Sequence, residues 1–331
     1  MPRKKTTVKV ISQPFRTQLN AIDLHFHGAF GIDLMHSNKK QLNKLSKLLW
    51  KNGIKAFCPT TISASKKDLS QAVSCLGEWI SKGDFPGAIP LGIHLEGPFI
   101  SSHACGAHPK RAIRHFSLRE LSTLWEKSLK TLKIITLAPE LLSDRELKGL
   151  CHWSRQKKVI LSIGHSQTNF EQAKRAFHLG FSGVTHAWNA MSFHHRDPGI
   201  LGAAIGNPEI YIELIIDQTH VSPHIINWMT KLHKNRLCFV SDCVPAAKTR
   251  AGTWHAFGNL RIQAQKQACV LKNGKLAGSA FLLTDAFQKW FYNEIKHFKG
   301  NKKQLKKLFY TSVKYIYDNP LNVISQKLPK N

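Results

Sequence analysis

The chain has 331 residues, of which 42% are hydrophobic, so it is long enough to bury the core of one large α/β domain. No apolar run reaches the roughly 18 residues that a membrane-spanning helix needs, which argues against a membrane protein. The sequence carries 48 Lys and Arg against 20 Asp and Glu, a formal net charge of +28. A positive field of this size attracts anions.

The positive charge has more than one interpretation. Nucleic acid is one candidate partner and a small phosphorylated molecule is another, but no nucleic-acid-binding motif accompanies the lysines. Many of them fall in predicted outer helices, such as 39–55 and 296–307, so we favour solvated helix faces and do not expect nucleic acid. Seven cysteines without paired spacing and a basic start without an apolar segment predict a cytoplasmic protein with reduced thiols.

Short β-like runs alternate with helical segments along most of the chain. The runs at 159–161 and 214–216 are apolar without alternation, as expected of parallel strands that are buried on both faces. Strands are predicted at 21–27, 56–62, 88–96, 132–138, 158–164, 183–188, 210–217 and 237–242. Helices are predicted between them at 39–53, 66–82, 117–129, 143–156, 169–179 and 222–235, and near the end at 282–295 and 303–317. This alternation predicts a (β/α)8 TIM-type barrel.

The barrel is assigned to residues 21–331, after an N-terminal extension over residues 1–20. Residues 247–277 do not fit the repeat, because they contain several glycines and short β-like stretches. They are predicted to form a short β-hairpin insertion after the eighth strand. No low-complexity linker or second-domain boundary is visible.

Side chains that bind metals or transfer protons follow five of the predicted strands. The strand ends of such a barrel converge at one mouth, where its chemistry lies. These residues are His25 and His27, Glu96, His165, His186 and Asp242. Imidazole is the usual nitrogen ligand of zinc, and three protein ligands with an open position define a catalytic site. The sequence therefore predicts the chemistry of a metal-dependent hydrolase.

Each of these residues has a structural alternative when it is considered alone. His25 and His27 lie on one face of a strand, yet a pair of structural histidines is an equal interpretation. Glu96 could form a strand-end salt bridge, and His165 could be a hydrogen-bonded core histidine. Coincidence at several strand ends favours the metal site. A carboxylate beside a metal-held water can take its proton and later deliver it to a leaving group, the role predicted for Asp242.

The motifs and their order resemble the N-acetylglucosamine-6-phosphate deacetylases of the amidohydrolase superfamily, over residues 22–320. The matching segments are Asp23-Leu24-His25-Phe26-His27-Gly28, His94-Leu95-Glu96-Gly97-Pro98-Phe99, Gly106-Ala107-His108-Pro109, Leu137-Ala138-Pro139-Glu140, Gly164-His165-Ser166, Thr185-His186, Asn189-Ala190-Met191, Arg196-Asp197-Pro198-Gly199, Asp217 with the four residues after it, and Leu276-Ala277-Gly278-Ser279. Together these motifs are specific at the level of the family.

The resemblance implies hydrolysis of the acetamide of N-acetylglucosamine 6-phosphate to glucosamine 6-phosphate and acetate. Glu96, His165 and His186 would hold a divalent metal, zinc in the first instance and Fe, Mn or Co in the alternative, with a metal-bound hydroxide as nucleophile. His25 and His27 would support a second ion, and Asp242 would be the general base and acid. Substrate-binding roles would fall on His108, Asn189, Ala190, Arg196, His220, Leu276, Ala277 and Gly278. A homodimer is a further possibility.

The sequence also departs from the family pattern. The small β-sandwich of the family is expected to be absent or reduced to a fragment. Gln218 stands where Gly is common, Cys243 where Ala is common and Gln167 where Asn is frequent, which leaves open which sugar is bound. Two alternatives remain: a related amidohydrolase with another amide substrate, and a catalytically decayed basic barrel that binds anionic polymers. The intact metal-site residues argue against the second.

Overall fold

Eight parallel strands form a barrel in the computed structural model, which describes residues 19–296 and 300–325. Each strand pairs with the next in the chain. The eight barrel strands are, in chain order, Ala21–Phe26, Ile54–Thr61, Ile93–Glu96, Leu132–Leu137, Ile160–Ile163, Gly183–Val184, Tyr211–Ile215 and Leu237–Val240. A parallel bridge between Phe26 and Cys243, and a 2.9 Å hydrogen bond from the His27 amide to the Cys243 carbonyl, join the first and eighth strands. The predicted (β/α)8 barrel is confirmed.

Helices connect the barrel strands and cover the outside of the sheet. The described helices are Lys39–Lys51, Lys66–Ser81, Leu118–Lys127, Asp144–Lys157, Phe170–Leu179, Gly199–Ile205, Pro223–Leu232, Leu283–Ile295, Lys302–Val313 and Asp318–Ser325. Several begin with a capping box, for example Asn38 with Gln41 and Ser143 with Glu146. Such reciprocal hydrogen bonds satisfy amides that have no partner within the helix, and so fix where each helix starts.

The inside of the barrel is apolar towards the amino ends of its strands and polar towards their carboxyl ends. Ile22, Leu24 and Ile134 belong to a buried apolar cluster, against which Val323 of the last described helix also packs. Above this cluster, the hydroxyls of Thr136 and Ser162 both form hydrogen bonds with the hydroxyl of Thr185. The apolar layer closes one end of the barrel, and the polar layer supports the functional mouth at the other.

A four-stranded antiparallel sheet follows the eighth barrel strand where a short hairpin was expected. Its strands are Trp254–Phe257, Leu260–Ala264, Ala268–Leu271 and Leu276–Ser279. The amide of Ser279 donates a 2.9 Å hydrogen bond to the carbonyl of Asp242, so the last strand of this sheet is joined to the end of the eighth barrel strand. The sheet therefore lies beside the mouth of the barrel.

Two other details of secondary structure differ from the prediction. The helix Gly199–Ile205 was not predicted, because its short apolar and glycine-containing sequence has no amphipathic pattern. The predicted strand 88–96 is interrupted: Ile89–Pro90 pairs with the second barrel strand, and Ile93–Glu96 begins after Gly92, whose φ is +133°. Glycine adopts such angles without the penalty that a Cβ imposes.

Part of the predicted domain division lies outside the described residues. The N-terminal extension falls mainly on residues 1–18, and the predicted barrel domain ends within 326–331; neither segment is described. The basic run 296–307 includes residues 297–299, which are also not described. Within the described ranges, no helix combines the length and the apolar character needed to cross a membrane.

Candidate metal centre and active site

The predicted metal-site residues come together at the carboxyl ends of the barrel strands. Glu96 ends the third strand, and the others lie at or just beyond the ends of the first, fifth, sixth and eighth strands. His165, His186 and Asp242 have φ angles of 49°, 32° and 49°, the left-handed region that residues other than glycine rarely adopt. Strain of this kind persists where the surrounding structure determines the conformation, and it is concentrated at functional sites.

Glu96 lies at the centre of the first group of candidate ligands. Its Oε1 atom is 2.9 Å from Nε2 of His186 and 3.1 Å from Nε2 of His165. These two Nε2 atoms are 3.0 Å apart. Two ligands of a tetrahedral zinc ion, each roughly 2.0–2.1 Å from the metal, lie at a similar separation. The three predicted ligands therefore converge closely enough to share one ion.

A second group adjoins the first through Glu96. Nε2 of His25 and Nε2 of His27 are 3.1 Å apart, and Oδ1 of Asp242 lies 3.5 Å from the first and 3.3 Å from the second. Oε2 of Glu96 is 3.3 Å from Nε2 of His27 and 3.0 Å from Nε2 of His108. The Glu96 carboxylate thus faces both groups, as a bridging ligand would.

Hydrogen bonds at the Nδ1 atoms of two histidines fix the orientation of their rings. Nδ1 of His165 lies 2.8 Å from the carbonyl oxygen of Ala104, and Nδ1 of His25 lies 3.1 Å from a carboxylate oxygen of Glu213. Because both partners are acceptors, each Nδ1 carries a proton, and the other ring nitrogen, Nε2, faces the cluster. Imidazole nitrogens and carboxylate oxygens that approach one another within about 3 Å form a donor set that fits a divalent metal.

The carboxylates of the cluster are held in their charged form. Burial opposes ionisation of Glu96, but the positive fields of His25 and His108 outweigh it and hold its pKa well below the usual value. Burial likewise opposes ionisation of Asp242, while the hydrogen bond from His27 and the field of His25 lower its pKa to about 2. Conversely, burial lowers the pKa of His108 to about 4, so its imidazole is neutral at pH 7. Burial opposes charge on His25 and His27, but the nearby carboxylates of Glu96 and Asp242 outweigh it and raise the pKa of both rings. A metal that binds these two imidazoles therefore displaces protons.

Two supporting acids of the site were not predicted from the sequence. Glu213 is fully buried in the seventh strand, beside the His25 ring, and accepts a 3.4 Å hydrogen bond from the His186 amide. Asp23 accepts hydrogen bonds from the amide and hydroxyl of Ser241, and so ties the first strand to the eighth. The signal was present, because a carboxylate inside an apolar strand is costly unless it has partners.

A cavity of about 320 Å³ opens above the cluster, at the small end of the range for ligand pockets. It is lined by His27, Ile62, Glu96, Gly106, Ala107, His108, His165, His186, Asn189, Ala190, His220, Asp242, Phe257, Lys275, Leu276, Ala277 and Gly278. Most of the predicted substrate-binding residues are therefore brought together. Arg196 is not: it lies on an exposed loop, beside a separate groove that also includes Asn169 and Pro198.

Phe257 and Lys275 line the cavity but were not predicted from the sequence. Phe257 ends the first strand of the four-stranded sheet, and Lys275 lies in the turn just before its last strand. The ring of Phe257 packs edge-on against His27 with centroids 5.2 Å apart. His94, by contrast, faces away from the cavity, towards the Leu24 carbonyl and the Thr136 hydroxyl. These two contacts connect His94 of the third strand to the first and fourth strands.

The segment around His220 is held by hydrogen bonds from two directions. Nδ1 of His220 lies 2.7 Å from a carboxylate oxygen of Asp217, and the Lys289 ammonium donates a 2.8 Å hydrogen bond to the Asp217 carbonyl. Gln218, at φ 67°, adopts a conformation that glycine enters at less cost. Its side-chain oxygen accepts a 2.9 Å hydrogen bond from Asn293, which directs this larger side chain towards the helix Leu283–Ile295.

The barrel and its buried imidazole and carboxylate cluster define a (β/α)8-barrel protein with a candidate divalent-metal centre. No protein-family model matches the chain. It is 34% identical over 270 residues to N-acetylglucosamine-6-phosphate deacetylase of Bacillus subtilis, covering 80% of this chain and 67% of that protein. It is 32% identical over 259 residues to N-acetylgalactosamine-6-phosphate deacetylase of Escherichia coli O157:H7, covering 78% and 67%. The chain therefore belongs to the family of N-acetylated amino-sugar 6-phosphate deacetylases.

Solved structures agree with this assignment. The crystal structure of N-acetylglucosamine-6-phosphate deacetylase from Thermotoga maritima matches with a TM-score of 0.77 and 28% identity, over 92% of this chain and 78% of that one. The resemblance predicted from the motifs is confirmed. The chain spans about two thirds of the length of the two curated relatives.

Proposed function

We propose that this chain removes the acetyl group from N-acetylglucosamine 6-phosphate, releasing acetate and glucosamine 6-phosphate. The observation that carries the proposal is the convergence of Glu96, His165, His186 and Asp242 at the floor of one cavity. The B. subtilis relative bears the name of this activity. N-acetylgalactosamine 6-phosphate is the second candidate, because the E. coli relative bears that name.

Glu96, His165 and His186 would hold the catalytic metal in this proposal. Three protein ligands of nitrogen and oxygen type are typical of catalytic zinc, and His25 with His27 would bind a second ion that Glu96 bridges. A divalent metal bound here supplies a Lewis acid that polarises the amide carbonyl and lowers the pKa of a water molecule.

Asp242 would act as the proton carrier. Its carboxylate is ionised at neutral pH, since its pKa is lowered to about 2 against the effect of burial, by the hydrogen bond from His27 and the field of His25. Oδ1 takes a proton from the attacking water, whose oxygen forms the new bond to the acetyl carbon. Oδ1 of Asp242 then delivers the proton to the sugar nitrogen as the carbon–nitrogen bond breaks. Acetate and the free amine leave.

The remaining cavity residues would bind and orient the sugar. His108 lies 3.0 Å from Glu96, close to where the acetamide must react. Asn189, Ala190 and His220 would contact the phosphate, and Leu276, Ala277 and Gly278 would line the sugar. The phosphate contact proposed for Arg196 requires its loop to move towards the cavity, because Arg196 does not line it.

The oligomeric state and the cellular location also belong to the proposal. A cluster of aromatic rings near the mouth supports a homodimer: Phe193 and Trp228 are 46% and 49% exposed, and both contact Trp188. Apolar surface of this kind is typical of protein interfaces. A cytoplasmic location is supported by seven free cysteines, most of them buried.

The function is tested by acetate release from purified protein of known metal content. The substrates are N-acetylglucosamine 6-phosphate, N-acetylgalactosamine 6-phosphate and unphosphorylated N-acetylglucosamine. We expect the highest kcat/KM for the first. A preference for the second would change the assigned sugar, and equal rates with and without phosphate would overturn the phosphate assignment. No acetate from any of them, with metal bound, would favour the decayed-barrel alternative.

A further inference from the structure

We propose that Lys275 is a specificity-determining residue, whose ammonium group binds the phosphate of the sugar substrate at the rim of the cavity. This inference rests on the proposed function. Among the described residues that line the cavity, Lys275 is the sole Lys or Arg. Nothing in the sequence motifs pointed to it, because it precedes the matching segment Leu276-Ala277-Gly278-Ser279 by one residue.

The charge distribution of the cavity calls for such a cation. The carboxylates of Glu96 and Asp242 lie at the floor, where the proposed metal would offset their charge and meet the acetamide rather than the phosphate. His220 is offset by the Asp217 carboxylate, 2.7 Å from its ring, so the two together contribute little net charge. Asn189 and Ala190 are neutral. Away from the metal ligands, Lys275 is therefore the lining residue that can supply net positive charge to a phosphate dianion.

The position of Lys275 suits the phosphate rather than the reacting amide. Ser279 is hydrogen-bonded to the Asp242 carbonyl, and Lys275 lies four residues before it, next to the start of the same strand. At about 3.3 Å per residue, this places its backbone roughly 13 Å from Ser279 along the strand. A substrate whose acetamide reaches the metal ligands directs its opposite end, which carries the phosphate, towards this rim.

The backbone at Lys275 is held in place while its side chain is unengaged. The Lys275 amide donates a 3.1 Å hydrogen bond to the side-chain oxygen of Asn273, and its carbonyl accepts a 2.8 Å hydrogen bond from Leu271. Gly274, at φ +80°, makes the tight turn possible. Within the described residues, no hydrogen bond or ion pair engages the Lys275 ammonium. A flexible, strongly hydrated cation on a fixed turn can meet an incoming phosphate.

The test measures binding and turnover separately in Lys275→Gln, Lys275→Arg and a control variant, Lys272→Gln. Lys272 is exposed in the same turn and does not line the cavity. Calorimetry gives the Kd of glucosamine 6-phosphate and of glucosamine, neither of which is an acetylated substrate. We expect Lys275→Gln to raise the Kd of the phosphorylated sugar and the KM of its acetylated form about tenfold, with kcat within twofold of wild type. Lys275→Arg should retain most of the affinity, and Lys272→Gln should resemble wild type.

The outcomes separate this inference from the proposed function. A Kd increase confined to phosphorylated sugar, in a protein that releases no acetate, would support Lys275 and overturn the deacetylase assignment. Acetate release with unchanged Kd and KM in Lys275→Gln would overturn the role of Lys275 alone. Equal losses for phosphorylated and unphosphorylated sugars, or equal losses in Lys272→Gln, would also overturn it. A wild-type protein that binds neither sugar would overturn both.

Discussion

The reactivity of individual residues in the cluster is set by their partners more than by their identity. His165 and His25 each have one ring nitrogen hydrogen-bonded to an acceptor, so the other ring nitrogen faces the cluster. Asp242 remains charged although it is buried, because two imidazoles face it. Single residues that looked ambiguous in the sequence gain a defined orientation from contacts that the chain makes over long separations.

The Asp217–His220 pair gives a pH-dependent prediction at this scale. Burial opposes charge on both groups, but their hydrogen bond lowers the pKa of Asp217 and raises that of His220. The free energy of unfolding that Asp217 contributes is fully present above its ordinary pKa of 3.8, and it is lost as pH falls through the lowered pKa. The free energy of unfolding that His220 contributes is fully present below its ordinary pKa of 6.5, and it is lost as pH rises through the raised pKa.

Asp217→Asn should therefore reduce the free energy of unfolding most between about pH 4 and 6.5, by about 1–3 kcal/mol. The measurement is urea denaturation of wild type and variant from pH 3.5 to 8. The difference between them should shrink as the pH rises above 6.5. A difference that is constant across this range would contradict the proposed ion pair.

At the scale of elements, the barrel strands could be predicted from the sequence. The side chains that the neighbouring sheet and loops bring to the cavity could not. Eight apolar runs separated by amphipathic segments predicted the barrel, because burial on both faces leaves that pattern in a sequence. The four-stranded sheet carries short, half-exposed strands with a weak pattern, so Phe257 and Lys275 were not placed at the cavity. The position of Arg196 was also not predictable, because its loop is held by a hydrogen bond from the Phe170 amide to Asp197, a contact across 27 residues that no local pattern reveals.

The sixth barrel strand offers a test of packing inside the barrel. A Cβ atom on Gly183 would lie 2.2 Å from the Tyr211 ring, whereas one on Gly149, in the outer helix Asp144–Lys157, meets nothing within 4 Å. Gly183→Ala should reduce the free energy of unfolding by about 1–3 kcal/mol through overpacking. Gly149→Ala should raise it by about 0.5–1 kcal/mol, because alanine favours the helix. Equal effects in urea denaturation would contradict the packing described for this strand.

For the whole molecule, the metal centre should stabilise the fold as well as support chemistry. The cluster joins side chains from the first, third, fifth, sixth and eighth strands, so a bound ion connects much of the barrel. Ligands that bind only the native state stabilise it by mass action. Removal of metal by a chelator should lower Tm by roughly 10 °C, and added zinc should restore it. Glu96→Gln should show a much smaller zinc-dependent shift; a full shift in this variant would contradict the assigned ligands.

The central claim is that Glu96, His165 and His186 assemble a metal site at which Asp242 transfers protons during deacetylation. The most direct measurement is the kcat of acetate release from N-acetylglucosamine 6-phosphate by wild type and Asp242→Asn, with the metal content of both proteins determined. The variant should keep its metal and a KM within a few-fold of wild type, while its kcat falls on the order of 100- to 10,000-fold. An undiminished kcat in the metal-loaded variant would contradict the claim.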